Sequence, residues 1–121
     1  MLLLLWIVGA LVVIYGAVCH WLIFGRGGFQ FVHNSFVAWV LVNCMGRMQC
    51  ITLGARCFGY AVNWQVELTP ERVLHEKHHW VQQKRDPYLF FPRYLWLLMR
   101  VGYDKHPDEQ EARFVAGEPL R

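Results

Sequence analysis

The sequence predicts an α+β fold, with an N-terminal transmembrane helix followed by a small domain of short strands and three helices. Three observations carry this reading: an uncharged apolar run over residues 1–24, strand-like segments between 36 and 68, and a helix start at Thr69-Pro70-Glu71. At 121 residues, 55% apolar and 17% charged, the chain suits one folded domain plus an appendage, and disorder is excluded as its main state. Glycines mark the division, with anchor and joint over 1–28 and the folded domain over 29–121.

Residues 1–24 include 21 from the apolar set and no charged side chain. As a helix they extend about 36 Å, enough to cross a bilayer. A cleaved leader wants a basic start and a shorter apolar stretch. No Lys or Arg precedes this run, so it reads as an uncleaved single-pass anchor. Arg26 follows the run, and the positive-inside rule then puts the domain on the cytoplasmic side. Trp21 suits an interfacial anchor, and His20, one turn from the exit, is expected to snorkel or bond locally. Gly25-Arg26-Gly27-Gly28 reads as a flexible joint.

The apolar run at 36–45 is too short to span as a helix and suits a buried strand. Gly46-Arg47 breaks it. Cys50-Ile51-Thr52-Leu53-Gly54 reads as a strand ending in a bulge or bend, and Trp64-Gln65-Val66-Glu67-Leu68 alternates at period two. Residues 36–68 are therefore expected to form a short antiparallel β-ribbon. Thr69 then offers an N-cap hydroxyl, Pro70 suits the first helical position, and Glu71 complements the helix dipole. A helix is expected from Pro70 to about Lys84. A packing helix follows from about Pro92 to Val101, and another opens at His106-Pro107.

The first of these helices contains His75-Glu76-Lys77-His78-His79, an H-E-x-x-H. Histidines four apart share one helix face and can hold one tetrahedral Zn²⁺, while Glu76, about 100° round the helix, can take a proton from a water at the open coordination position. His78 is expected to face solvent. A catalytic zinc wants a third protein ligand, and Asp108, Glu109 and Glu111 are all available after Pro107. Acids in a first helical turn also suit the dipole with no metal at all.

The H-E-x-x-H followed by Glu109-Gln110-Glu111-Ala112 resembles the gluzincin zinc metallopeptidases, whose second helix donates a glutamate from an E-x-x-A pattern. His75 to Gln82 is similar to the H-E-x-x-H-x-x-Q of small membrane-anchored gluzincin-like proteins, and Thr52-Leu53-Gly54 to the strand before their helix. The likeness covers about residues 50–113. It implies a zincin-like domain made of ribbon, H-E-x-x-H helix, packing helix and Glu-bearing helix. It also implies His75, His79 and Glu109 as zinc ligands, with Glu111 the alternative third ligand, and Glu76 as general base in peptide-bond hydrolysis. The chain departs from the pattern at Arg113, where several such families have an aspartate that orients a ligand histidine, and at His106, which replaces an asparagine.

Other readings remain beside this one. The motif would also serve a non-catalytic, zinc-stabilised binding module, or stand by coincidence in a small membrane structural or assembly protein. Tyr103 and His106 are candidates for stabilising an oxyanion. Trp80, Val81 and the apolar residues from Tyr88 to Met99 are expected to pack the ligand helix against the next one, the alternative being a membrane-surface role flanked by Arg93 and Arg100. A net charge of +3, without a basic cluster, argues against nucleic acid as a partner. The expected partners are a membrane and a peptide or protein substrate. Cys19, Cys44, Cys50 and Cys57 contain no C-x-x-C pair and read as buried thiols, with a Cys44–Cys50 disulfide the alternative in an oxidising compartment.

Overall fold

The computed structural model describes residues 1–33, 35, 36, 38–40, 50–59 and 69–120. Helix α1 (Leu2–Phe24) precedes strands β1 (Gln30–Val32), β2 (Cys50–Leu53) and β3 (Arg56–Gly59), and helices α2 (Pro70–Arg85), α3 (Phe90–Val101) and α4 (Pro107–Ala116) complete the chain. The fold class is α+β, and α1 is long and apolar enough to cross a membrane.

The sheet differs from the expected ribbon. Its order is β1-β3-β2, with β2 and β3 antiparallel but β1 and β3 parallel. Phe36, Ala38, Trp39 and Val40 are helical rather than extended, the turn being closed by the Trp39 N–H bonding the Ser35 carbonyl at 3.0 Å. An apolar run without alternation fits a short helix as well as a strand. Cys44, Gly46-Arg47 and the strand expected at 64–68 lie outside the described residues.

The bend foreseen at Gly54 is the β2–β3 hairpin turn. Its φ of +63° favours glycine, and a Cβ there would lie 2.0 Å from the Leu22 carbonyl oxygen. That close approach lets the Ala55 N–H bond Leu22 O at 3.0 Å, while Trp80 Nε1 donates to Ile23 O at 2.8 Å. Both carbonyls belong to the last turn of α1, which an isolated helix leaves unpaired. The domain thereby caps the last turn of α1. Cys19 and Ile23 are buried in this junction, whereas nearly all of the rest of α1 is exposed. The glycine joint is also held, because the Arg56 guanidinium donates to the carbonyls of Arg26 and Gly28, each at 2.9 Å.

Thr69 caps α2 as expected, its hydroxyl accepting from the Arg72 N–H at 3.2 Å. Packing on the other side of α2 is thinner than expected. Val81 is exposed, and of α3 only Phe90 is fully buried, with Leu95, Trp96 and Met99 facing outward. Among the described residues the interior is rich in polar groups: His75, Glu76, His79, Gln82, Gln83, His106 and Glu109 are all buried. Burial of so many polar groups requires that they pair with one another.

Candidate metal centre

Helix α2 places His75 and His79 one turn apart, their ring centroids 4.9 Å from each other. The first turn of α4 brings Glu109 against both. One carboxylate oxygen lies 3.0 Å from His75 Nε2 and the other 3.2 Å from His79 Nε2. Ligand atoms of the three residues all lie within 4.8 Å of one another. Glu111 points elsewhere, bonding His78 Nε2 at 2.7 Å and the Arg85 guanidinium, so His78 is partnered rather than solvated. Asp108 faces Arg93, with 3.6 Å between Oδ2 and Nη2. Of the three acids available in sequence, Glu109 alone meets the two rings.

The hydrogen bonds around the rings determine what can sit between them. His75 Nδ1 is 2.9 Å from a Glu118 oxygen, which can only accept from it when ionised. His79 Nδ1 is 2.9 Å from Gln82 Oε1, and the Gln82 amide nitrogen is committed to the Asp108 carbonyl at 2.8 Å. Each Nδ1 is therefore the protonated nitrogen, and each Nε2 of a neutral ring is an acceptor facing a carboxylate that is also an acceptor. Such an arrangement needs a cation at its centre, either a proton or a metal ion. Burial opposes charging His79, but hydrogen bonding to Glu109 and its negative charge outweigh this and raise its pKa to about 9. Burial likewise works to raise the Glu109 pKa, yet the bonds from His75 and His79 hold it well below the usual carboxylate range. The donor set, two imidazoles with fixed tautomers and one carboxylate, fits a divalent ion such as Zn²⁺.

Glu76 lies beside this group. Thr52 Oγ1 donates to its Oε2 at 2.8 Å, and the Cys50 thiol to its Oε1 at 3.3 Å. Strand β2 is fixed against α2 by Gln83, whose side chain accepts from the Gly54 N–H at 2.5 Å and donates to the Thr52 carbonyl at 2.9 Å. A cavity of about 70 Å³ opens here, with Thr52, Glu76, His79, Tyr94, Tyr103 and Glu109 among its walls. Tyr94 donates to Glu109 Oε1 at 2.5 Å, and its phenol is pushed up by burial and by the Glu109 charge, so it remains a donor. Tyr103 is pushed up for the same reasons.

Of the two oxyanion candidates, Tyr103 lines the cavity and His106 does not. His106 is fully buried: it stacks on Tyr94 with centroids 4.0 Å apart, bonds the Tyr94 carbonyl at 2.9 Å, and caps α4 by accepting from the Asp108 N–H at 3.1 Å. It does the capping work expected of an asparagine before proline. Arg113 likewise turns away from the rings to the Asp104 carbonyl and the Tyr103 face.

Sequence reasoning assigned no site role to Glu118, Cys50 or Tyr94, and marked Gln82 and Thr52 only as parts of the motif and strand that carry the resemblance. The only signal for Glu118 was Gly117, in the left-handed conformation that ends α4. There the Glu118 N–H bonds Arg113 O at 2.9 Å and the chain reverses toward His75. No family model, curated protein or solved structure matches the chain. The reading of this site rests on its own geometry.

Proposed function

We propose that this chain is a membrane-anchored zinc metallopeptidase with a zincin-like domain, in which His75, His79 and Glu109 hold the ion and Glu76 is the general base. The observation that carries the reading is the Glu109 carboxylate spanning the two Nε2 atoms, with Glu76 on the wall of the same cavity. When bound there, zinc supplies Lewis-acid polarisation of a scissile carbonyl and acidifies water. Glu76 accepts the proton from the attacking water and returns it to the leaving amine. Thr52 and Cys50 aim its carboxylate, while Tyr94 and Tyr103 offer hydroxyl donors on the cavity wall. The exposed Arg93, Trp96 and Arg100 of α3 and the apolar surface of α1 favour a membrane setting. Arg26 after α1 favours the cytoplasmic side. The substrate class is then a peptide segment held at the bilayer surface.

The test is metal analysis of full-length protein purified in detergent without chelators, beside hydrolysis of a quenched fluorescent peptide library. The expected result is zinc retained by wild type and Glu76→Gln, zinc lost in His79→Ala and Glu109→Ala, and hydrolysis abolished in Glu76→Gln. Wild type without zinc, or hydrolysis that survives in Glu76→Gln, would overturn the proposal.

One observation favours a second reading, a zinc-stabilised binding module. Both Glu76 oxygens are already engaged, and the adjoining cavity is small. Zinc retention without any hydrolysis dependent on Glu76 would select that reading.

A further inference from the structure

Behind the first group lies another set of ligand atoms. Cys50 Sγ, Cys57 Sγ and a Glu76 oxygen all lie within 4.8 Å of one another, and Cys50 Sγ is 3.3 Å from Glu76 Oε1. Both thiols are free. In the β2–β3 register Cys57 faces Thr52 and Cys50 faces Gly59, so the two cysteines are diagonal neighbours on one face of the hairpin. A diagonal pair stands about 7–8 Å apart at Cα, long for a disulfide but suited to sulfurs bridged by an ion. Zn–S bonds of about 2.3 Å and Zn–O bonds of about 2.0–2.2 Å give tetrahedral edges of roughly 3.5 Å between sulfur and oxygen. The observed 3.3 Å is close to that edge.

We propose that Cys50, Cys57 and Glu76 form a second metal site for a thiophilic divalent cation of the Zn²⁺, Cd²⁺ or Co²⁺ type. Binding replaces two thiol protons, released to solvent, by one divalent ion bonded to two thiolates and a carboxylate. Arg72 is near enough for its charge to interact with Cys50 and Glu76. Its single positive charge and the two of the ion balance the three negative ligands. Two sulfur donors select a softer ion than the imidazole and carboxylate group does. The consequence for regulation rests on Glu76 acting as base: an ion on this side takes the carboxylate as a ligand and withdraws it from proton transfer. Excess metal then inhibits the enzyme through a site separate from the one that activates it.

The test uses reduced, full-length protein in detergent, stripped of metal with a chelator that is then removed, and titrated with Co²⁺ and, in parallel, Cd²⁺. Wild type is expected to take up about two ions per chain and to develop a thiolate-to-metal charge-transfer absorption. Cys50→Ser and Cys57→Ser, with Cys57→Ala as a second replacement at that buried position, are expected to lose the absorption and one ion. His75→Ala with His79→Ala is expected to lose the other ion and keep the absorption. No charge-transfer band in wild type, or a band undiminished in the Cys57 variants, would overturn the site. The band is read without substrate, so it stands or falls separately from the peptidase reading. Where hydrolysis is measurable, its loss is expected to track growth of the band; hydrolysis unchanged while the band saturates would overturn the inhibitory role.

Discussion

Glu118 stands where no sequence pattern asked for a functional residue, yet its carboxylate holds the Nδ1 proton of His75 at 2.9 Å. Partners of this kind fix ligand tautomer and orientation, and their loss costs about 10–100-fold in metal affinity. Glu118→Gln is therefore expected to weaken zinc binding by that order in competition with a chromogenic chelator. Glu111→Gln, which disturbs only His78 and Arg85, is expected to change it by less than about threefold. The two candidate histidine ligands were legible, because four-residue spacing on a helix is a local property. Their supports were not, since nothing in the chain links residue 118 to residue 75 until the Gly117 turn is seen. The metal-free pair also has a pH signature. His79 is raised to about 9 by Glu109 against the opposing effect of burial, so its contribution to stability is complete below its unfolded value of about 6.5 and is lost as pH rises through about 9. Glu109 is depressed, so its contribution is present above about 4.3 and lost as pH falls. Chelator-treated protein is expected to melt highest between about pH 4.5 and 6.5 as far as this pair decides. Bound zinc is expected to remove the alkaline loss, because the ion replaces the shared proton. Melting curves from pH 4 to 10, with and without zinc, check both expectations.

At the scale of elements, legibility followed the length of the local signal. Thr69-Pro70-Glu71 announced α2, and its cap and length came out as expected to within a residue. The strands are three or four residues long, too short for alternation to be read, and the parallel β1–β3 pairing joins residues 26 apart in sequence. Cys19 and Cys57 are buried free thiols, as the sequence suggested, and the same hairpin puts Cys50 and Cys57, seven apart in the chain, on one sheet face. Gly54 lies where the hairpin, α1 and α2 meet. Gly54→Ala adds a Cβ at a positive φ into the Leu22 carbonyl, and is expected to cost about 3 kcal/mol or more in a denaturation midpoint series. Thr69→Ala removes only a solvent-exposed cap and is expected to cost about 1 kcal/mol. Equal effects for the two would show that the hairpin is not what holds α1 to the domain.

At the scale of the whole molecule, α1 is long and apolar enough to cross a membrane, and the domain touches it well before its end. The Tyr15 hydroxyl donates to the Tyr88 carbonyl at 2.6 Å, and Gly16 faces the Tyr88 ring. Tyr15 precedes the end of α1 by nine residues, about 14 Å of helix. If α1 crosses a hydrocarbon layer about 30 Å thick, the approach to α3 therefore starts alongside its membrane-facing length rather than beyond it. The exposures agree: Leu89, Leu95, Trp96 and Met99 are 53–73% exposed, while Phe90 is buried and Phe91 and Tyr94 of the same helix line the cavity. Arg100, with its guanidinium 5.3 Å from the Trp96 ring centroid, is the exposed cation of this face suited to anionic headgroups, whereas Arg93 is paired with Asp86 at 3.1 Å. If α1 spans the bilayer, the outer face of α3 is therefore expected to enter the lipid while Phe91 and Tyr94 line the cleft, which would set the cleft at headgroup level. In full-length protein reconstituted into nanodiscs, brominated acyl chains are expected to quench a share of tryptophan fluorescence that Trp96→Phe removes, although Trp6 and Trp21 continue to be quenched. Met99→Glu is expected to lower that Trp96 share by moving the helix outward. Quenching identical in wild type and Trp96→Phe would place the outer face of α3 in water, and the bilayer-surface substrate class would fall with it.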